Sequence, residues 1–183
     1  MMGRVVCDRT DRGGPARVGA GEEAAVPERV LVVFVTAGGA TERYAGVVAE
    51  TLRSRGMAVD VANLKKDPVK ELSSYSGVVV GTGVRMGLVY MAAKRFLARK
   101  DLASKPIAIF LSSGIAVMDR TKARERFLTP LVKKLGLSPV SYAALPGAAP
   151  GRTGTADDKV DPDLARAWAE EVATELAGGR LGR

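Results

Sequence analysis

The six residues from Thr36 to Thr41, T-A-G-G-A-T, have the types and spacing to do chemistry. Two threonine hydroxyls flank two alanines and two glycines, so the small side chains leave the main chain open to a bulky group. The loop joins the apolar run 30–35 to an amphipathic helical pattern. A helix start has free N–H groups and about half a positive charge. This arrangement favours an anion, above all a phosphate group.

The loop differs from the two commonest nucleotide-binding motifs. It lacks the Gly-Lys-Ser/Thr ending of a P-loop, and its glycine spacing does not match the dinucleotide fingerprint. A mononucleotide phosphate therefore fits better than a triphosphate or a dinucleotide. The alternative without a ligand is a tight strand-to-helix turn capped by a threonine. The residues predicted to bind phosphate are Thr36, Ala37, Gly38, Gly39, Ala40 and Thr41.

Strands and helices alternate along the rest of the chain. The apolar runs predict strands at 30–35, 57–61, 77–81, 106–111 and 139–145. Helical spacing predicts helices from Thr41 to before Gly56, and over 88–99, 120–135 and 161–177, with Pro130 expected to kink or divide the third. Residues 147–158 are glycine- and alanine-rich and are predicted to form a loop. Alternation of this kind predicts a parallel sheet covered on both faces.

The phosphate loop and its flanks resemble those of flavodoxins. The positions that fit the flavodoxin pattern for the phosphate of FMN are Val32, Val33, Phe34, Thr36, Gly39, Thr41, Ala45 and Val48. The resemblance implies an α/β fold, a flavodoxin-like three-layer sandwich with a five-stranded parallel sheet of order 2-1-3-4-5 and helices on both faces. It also implies FMN at the switch point between strands one and three, held by the loops that follow strands one, three and four. The two further loops add Thr82, Gly83, Val84, Arg85, Met86, Gly87, Ser112, Ser113 and Gly114 as cofactor-binding residues.

One branch of that family is most similar. The segment G-T-G-V-R-M-G at 81–87, the strand that leads to Ser113 and the closing helical segment at 161–176 resemble menaquinone-dependent protoporphyrinogen dehydrogenases, which oxidise a haem precursor. The resemblance implies FMN-dependent oxidation centred on the flavin N5, with a small-molecule or quinone redox partner. No residue is assigned as a catalytic acid or base.

The chain departs from that branch at two places. Met86 stands where the branch has an aromatic residue, and the segment 146–162 is short where the branch has a longer insertion. The departures leave an alternative open, a degenerate flavodoxin fold that serves as an interaction module without flavin.

The charge of the chain points to an anionic partner. The net charge is +8, and eleven basic residues lie between Lys94 and Lys134 against three acidic ones. The candidates are an anionic substrate, such as one that carries propionates, or an anionic membrane surface. A plain solvated helix face stays open. Nucleic acid is not expected, because only 5% of residues are aromatic and none interleaves the charges.

The remaining composition bounds the organisation of the chain. Its 183 residues predict a flexible N-terminal extension at 1–28, one FMN-binding domain at 29–178 and a flexible tail at 179–183. There is no histidine and the one cysteine, Cys7, lies in the extension, so neither a metal site nor a disulfide framework is predicted. No signal peptide or membrane-spanning run is recognised, and we expect a cytoplasmic protein whose oligomeric state the sequence leaves open.

Overall fold

The centre of the molecule is a parallel sheet, seen in a computed structural model that describes residues 28–147, 149–150, 156–157 and 159–178. Its five parallel strands are β1 (Arg29–Val35), β2 (Ala58–Asn63), β3 (Gly77–Arg85), β5 (Ile107–Ser113) and β6 (Ser141–Pro146). They lie in the order β2-β1-β3-β5-β6, and the short strand β4 (Leu88–Val89) pairs antiparallel with β3. Counted as five parallel strands, this is the predicted order 2-1-3-4-5, which is confirmed.

Helices cover both faces of the sheet. They are α1 (Ala40–Ser54), α2 (Met91–Leu97), α3 (Ile115–Met118), α4 (Arg120–Ala123), α5 (Thr129–Leu135) and α6 (Pro162–Gly178). A 3₁₀ turn spans Lys100–Leu102, and a π-helical turn, Arg124–Leu128, joins α4 to α5. The helices α1 and α6 pack against one face, and α2, α5 and the π turn pack against the other. The predicted three-layer sandwich is therefore confirmed.

The strands are apolar because most of their residues face one of two cores. In β1, Val32 faces the α1 and α6 side while Val33 faces the other, and both are fully buried. This period of two, with no polar face, is what a doubly covered parallel strand requires.

Gly81 in β3 makes room for the largest aromatic cluster. A Cβ at Gly81 would lie 2.2 Å from Cζ of Phe110. The Phe110 ring packs edge-on against Tyr44, with centroids 6.4 Å apart, and against Trp168 at 5.7 Å. The glycine is therefore a packing requirement of the α1 and α6 face.

The hydroxyl of Tyr44 connects distant parts of the chain on that same face. It donates a hydrogen bond of 2.7 Å to the carbonyl of Pro146, at the end of β6, and accepts one of 2.9 Å from the amide of Asp161, just before α6. The Tyr44 side chain is fully buried. One phenol thus fixes α1, β6 and α6 relative to one another.

The helix predicted over 88–99 is wrong at both ends. Residues 88 and 89 form β4, α2 begins at Met91 and ends at Leu97, and residues 100–102 form the 3₁₀ turn. The apolar spacing of Leu88 and Met91 suggested one helix, but Leu88 is paired with Arg85 across a hairpin. As a consequence β3 is longer than predicted, and residues 82–85 of the expected loop belong to the strand.

The helix predicted over 120–135 is divided, but Pro130 is not where it breaks. The π turn at 124–128 comes first, and Pro130 is the second residue of α5. Proline has no N–H to donate to the carbonyl four residues earlier, and its ring clashes there. The widened turn removes that conflict by giving Pro130 a first-turn position, where no intrahelical donor is needed.

Other boundaries differ less. The second strand begins and ends later than the predicted 57–61, at Ala58–Asn63. The segment predicted as a loop at 147–158 contains two two-residue strands, β7 (Ala149–Pro150) and β8 (Ala156–Asp157), which pair antiparallel. The extension 1–27, with Cys7, and the tail 179–183 lie outside the described residues. The domain limits at 29–178 stay a prediction.

Candidate functional site

The start of α1 is shaped by Gly39. This residue is the N-cap and has φ 85°, a left-handed conformation that costs glycine little. Its amide donates a hydrogen bond of 3.0 Å to Oγ1 of Thr36, so the loop folds back on itself. The amides of Ala40 and Thr41 then belong to the first helical turn, where N–H groups have no intrahelical partner.

Two hydroxyls from different elements meet at the floor of this loop. Oγ1 of Thr41, in α1, and Oγ of Ser112, in β5, lie 2.8 Å apart in a hydrogen bond. Thr41 is 1% exposed and Ser112 is 5% exposed. Only one proton is shared between the two oxygens, so whichever hydroxyl accepts keeps a proton that it can donate to a bound anion.

Gly83 and Tyr90 form the facing wall. A Cβ at Gly83 would lie 3.1 Å from Cε2 of Tyr90 and 3.3 Å from Oγ1 of Thr41. A side chain at this position would therefore fill the space beside the Thr41 hydroxyl. The glycine in β3 and the tyrosine before α2 together leave a small polar cavity.

We call this cavity the cradle. Its volume is about 70 Å³, and it is lined by Thr36, Ala37, Gly38, Ala40, Thr41, Gly83, Val84, Tyr90 and Ser112. One water occupies about 30 Å³ in the liquid, so the cradle has the size of a small anionic group and not of a ring system. It lies where the carboxyl ends of β1, β3 and β5 come together.

A lysine stands beside the cradle. Nζ of Lys65 donates a hydrogen bond of 2.6 Å to the carbonyl of Thr36 and lies 5.0 Å from the ring centroid of Tyr90. Lys65 follows β2, which is the neighbour of β1 in the sheet. The loop itself contains no lysine, but the fold brings Lys65 to its edge.

The predicted residues of the second loop lie partly outside the cradle. Met86 and Gly87 form a two-residue hairpin between β3 and β4, with φ 51° and 74°, and Arg85 pairs with Leu88. Positive φ at both central residues is typical of a type I′ turn. Met86 is 91% exposed and does not line the cradle.

Three other predicted residues, Thr82, Ser113 and Gly114, do not line the cradle. Thr82 is fully buried in β3, and its hydroxyl donates to the carbonyl of Gly83 at 3.2 Å. Oγ of Ser113 accepts a hydrogen bond of 3.2 Å from the amide of Ala116, next to Gly114 at the start of α3. Eight of the nine described residues that line the cradle belong to the predicted set, and the ninth, Tyr90, does not.

The shifted pKa values belong to groups outside the cradle. The Tyr75 hydroxyl donates to Asp60 at 2.8 Å and, with Arg29, holds the pKa of Asp60 below its ordinary value of 3.8. Burial, followed by the bond to Asp60, raises the pKa of Tyr75. None of these residues lines the cradle. The groups that the cradle offers to a ligand are therefore hydroxyls and main-chain amides.

The amino-acid sequence is similar to those of known proteins. The family described as "Flavodoxin domain" matches residues 31–150. The protoporphyrinogen IX dehydrogenase (quinone) of Escherichia coli strain K12 is 30% identical over 90 residues, which are 48% of this chain and 50% of that protein. The match thus spans about half the length of this curated relative.

Solved structures agree on the fold. Oxidised flavodoxin 1 from Bacillus cereus superposes with a TM-score of 0.57 at 17% identity, over 79% of this chain and 96% of that chain. Oxidised flavodoxin 2 from the same organism gives 0.57 at 22% identity, over 80% and 99%. At these identities the likeness is one of fold.

Proposed function

The chain belongs to the flavodoxin domain family, and from that membership we propose that it binds FMN and works as a flavin-dependent oxidoreductase in the cytoplasm. The cradle carries this proposal. It joins the first-turn amides of α1 to the buried hydroxyls of Thr41 and Ser112, which lie 2.8 Å apart. Helix N-termini with adjacent hydroxyls favour phosphate over neutral groups.

The residues present fit a phosphate and its attached chain. The cradle volume of about 70 Å³ suits a phosphate group, and a side chain at Gly83 would take that space away. Thr36, Thr41 and Ser112 would hold the phosphate oxygens, and Lys65 adds positive potential from the side of β2. The three-ring flavin is too large for a cavity of about 70 Å³, so residues outside the cradle would hold the ring.

The flavin supplies hydride and single-electron chemistry when it is bound. The protein's own part would be to bind the phosphate at the cradle and to hold the ring through the loops that follow β3 and β5. The described residues that line the cradle are glycine, apolar or hydroxyl-bearing and include no carboxylate, so we assign none of them as a general acid or base.

Flavin titration tests the proposal. We expect FMN fluorescence to be quenched saturably at one equivalent per chain, and riboflavin, which lacks the phosphate, to bind far more weakly. The absence of saturable quenching would overturn the proposal and leave a flavodoxin fold that serves as an interaction module. Equal binding of FMN and riboflavin would mean that the cradle does not hold the phosphate.

We further propose that the reaction is the dehydrogenation of protoporphyrinogen or a related electron transfer to a quinone. The 30% identity to the Escherichia coli enzyme over 90 residues supports this substrate class. Assays of protoporphyrinogen, quinone and nicotinamide substrates side by side, with FMN-loaded protein, separate the choices. If the protein oxidised only the reduced nicotinamide cofactor and not protoporphyrinogen, the porphyrinogen assignment would be rejected.

A further inference from the structure

The eleven basic residues between Lys94 and Lys134 do not form one surface. Arg99 is paired with Asp101 and with the carbonyls of Val69 and Lys70, and Lys105 donates to the carbonyl of Tyr75. Two others, Arg120 and Arg124, line a separate groove beside the edge strand β6. The cluster that the sequence suggests is therefore divided by the fold.

Four of these cations surround one apolar groove. The groove lies between α2 and α5, has a volume of about 480 Å³, and is bounded by Lys94, Arg95, Arg126 and Lys134. We call it the α2–α5 groove. It shares no lining residue with the cradle: Gly87, Leu88 and Val89 line the groove, while Gly83 and Val84 line the cradle.

The charge of this groove is entirely positive in the part of the chain that the structure describes. No acidic side chain lines it, and none of its four cations makes an ion pair with a described residue. Unpaired cations around an apolar floor attract a partner that has both an anionic group and apolar surface. The floor includes Phe127 and Leu131.

The π turn builds one wall of the groove. Arg126 and Phe127 both belong to residues 124–128, and the Arg126 guanidinium lies 5.5 Å from the Phe127 ring centroid. A π-helical turn is rare and occurs often at functional sites. Here it places one cation and one aromatic side by side at the groove.

Apolar side chains continue beyond the groove onto the outer surface. Leu88 is 65% exposed and Met91 58% exposed, and both line its rim. Met86, at the tip of the hairpin, is 91% exposed and has φ 51°, a conformation that a bulky residue adopts only with strain. Exposed apolar patches edged by charge mark sites of macromolecular or membrane contact.

We propose that the α2–α5 groove and the hairpin tip dock on the surface of an anionic phospholipid bilayer. The four cations meet the phosphate groups, and Met86, Leu88 and Met91 enter the interface. Protruding apolar side chains favour a bilayer over a small soluble amphiphile, because a soluble ligand would bury the groove floor and leave Met86 in water. The described helices include none long and apolar enough to cross a membrane.

Vesicle binding tests the proposal with the full-length protein and needs no flavin. We expect the protein to co-sediment with vesicles of phosphatidylglycerol and phosphatidylcholine and not with vesicles of phosphatidylcholine alone. Removing two groove charges, in R95Q/R126Q, should lower the partition coefficient roughly 30-fold, from about a factor of five per basic residue near the surface. The matched control R55Q/R166Q removes two arginines from the α1 and α6 side. It should change the partition coefficient less than roughly three-fold, because salt screens charges that lie far from the membrane surface.

An apolar variant tests the second half of the surface. L88Q/M91Q keeps every charge and should weaken partitioning to anionic vesicles by at least roughly ten-fold, because two exposed apolar side chains no longer enter the interface. Circular dichroism of each variant checks that the fold is kept.

Three outcomes would overturn the proposal. Equal losses in R95Q/R126Q and R55Q/R166Q would mean that net charge alone binds the vesicles. No binding to anionic vesicles, with binding of monomeric short-chain phosphatidylglycerol, would identify a soluble amphiphile as the occupant. No binding of either would leave the groove to a protein partner. Because these assays are run without FMN, they fail independently of flavin binding.

Discussion

Thr41 and Ser112 set the character of the cradle at the scale of single residues. Their hydroxyls come from a helix and a strand that are 71 positions apart, and they meet at 2.8 Å in a buried position. The hydroxyl that accepts this bond has one proton left to donate, and it lies at the N-terminal end of α1, where an anion is stabilised. The pair therefore gives the most direct test of the site.

Replacing Thr41 with valine should weaken FMN binding about ten-fold to a hundred-fold, because a hydrogen bond to a charged group is worth about 1.5–3 kcal/mol. Titration of FMN fluorescence measures the effect. Thr51→Val is the matched control, since Thr51 is also buried in α1 but donates to the carbonyl of Val47. Similar loss in both variants would place the phosphate elsewhere.

Two glycines provide a second residue-scale comparison. Gly81→Ala should lower the free energy of unfolding by about 1–3 kcal/mol, because its Cβ would lie 2.2 Å from the Phe110 ring and the core must shift. Gly46→Ala, within α1 and with nothing within 4 Å of the added Cβ, should raise it by about 0.5–1 kcal/mol. Urea denaturation of the two variants gives the signs, and a stabilised Gly81→Ala would contradict the packing described.

At the scale of elements, the β3–β4 hairpin is the feature that the sequence did not predict. Glycine-rich G-T-G-V-R-M-G looked like a loop, because a type I′ turn is normally marked by Asn-Gly and Met-Gly is not that pattern. The five parallel strands were predictable because apolar runs buried on both faces have no competing pattern. Register and hairpin pairing depend on contacts between distant residues and could not be predicted in the same way.

The candidate site also has a part that could be predicted from the sequence and a part that could not. The TAGGAT loop was predicted from residue types, since its chemistry lies in one continuous segment. Lys65 was missed because it comes 24 residues after Thr41 in the chain (65 minus 41). The strand order 2-1-3 places the end of β2 beside the end of β1. The predicted order therefore implied that a residue just after β2 lies next to the cradle.

The hairpin makes an element-scale prediction. Met86→Asn should raise the free energy of unfolding by about 1 kcal/mol, because asparagine adopts the positive φ found at Met86 with less strain than methionine does. Thermal denaturation should show an increase of about 2–4 °C for a chain of this size. Leu88→Asn, one turn residue away in β4, provides the control and should give no increase, since its backbone is extended.

At the scale of the whole molecule, stability depends on pH through Asp60. Its pKa is lowered, chiefly by the hydrogen bond from Tyr75, so the folded state binds that proton less readily than the unfolded chain does. The contribution to stability is present above the ordinary pKa of 3.8 and disappears as the pH falls through the lowered value. The raised pKa of Tyr75 acts at the other end, and its contribution is lost as the pH rises above 10.0.

Tyr75→Phe should therefore destabilise the protein at pH 7, and the difference from the natural chain should shrink as the pH falls below about 4. Urea denaturation at a series of pH values from 8 to about 2.5 measures this difference. Asp60 and Arg29 are about half exposed, so the effect is modest. Two parallel curves across the whole pH range would show that Asp60 does not titrate through this contact.

The Tyr44 hydroxyl has a consequence for the order in which the molecule is made. Its two partners, the carbonyl of Pro146 and the amide of Asp161, are synthesised 102 and 117 residues after it. The nascent chain can form β1 and α1 early, but the phenol stays without these partners until the ribosome has released residues beyond 161. The α1 and α6 face is therefore completed late in translation, and a slow step between β6 and α6 would expose the apolar side of α1 to other nascent chains and to chaperones.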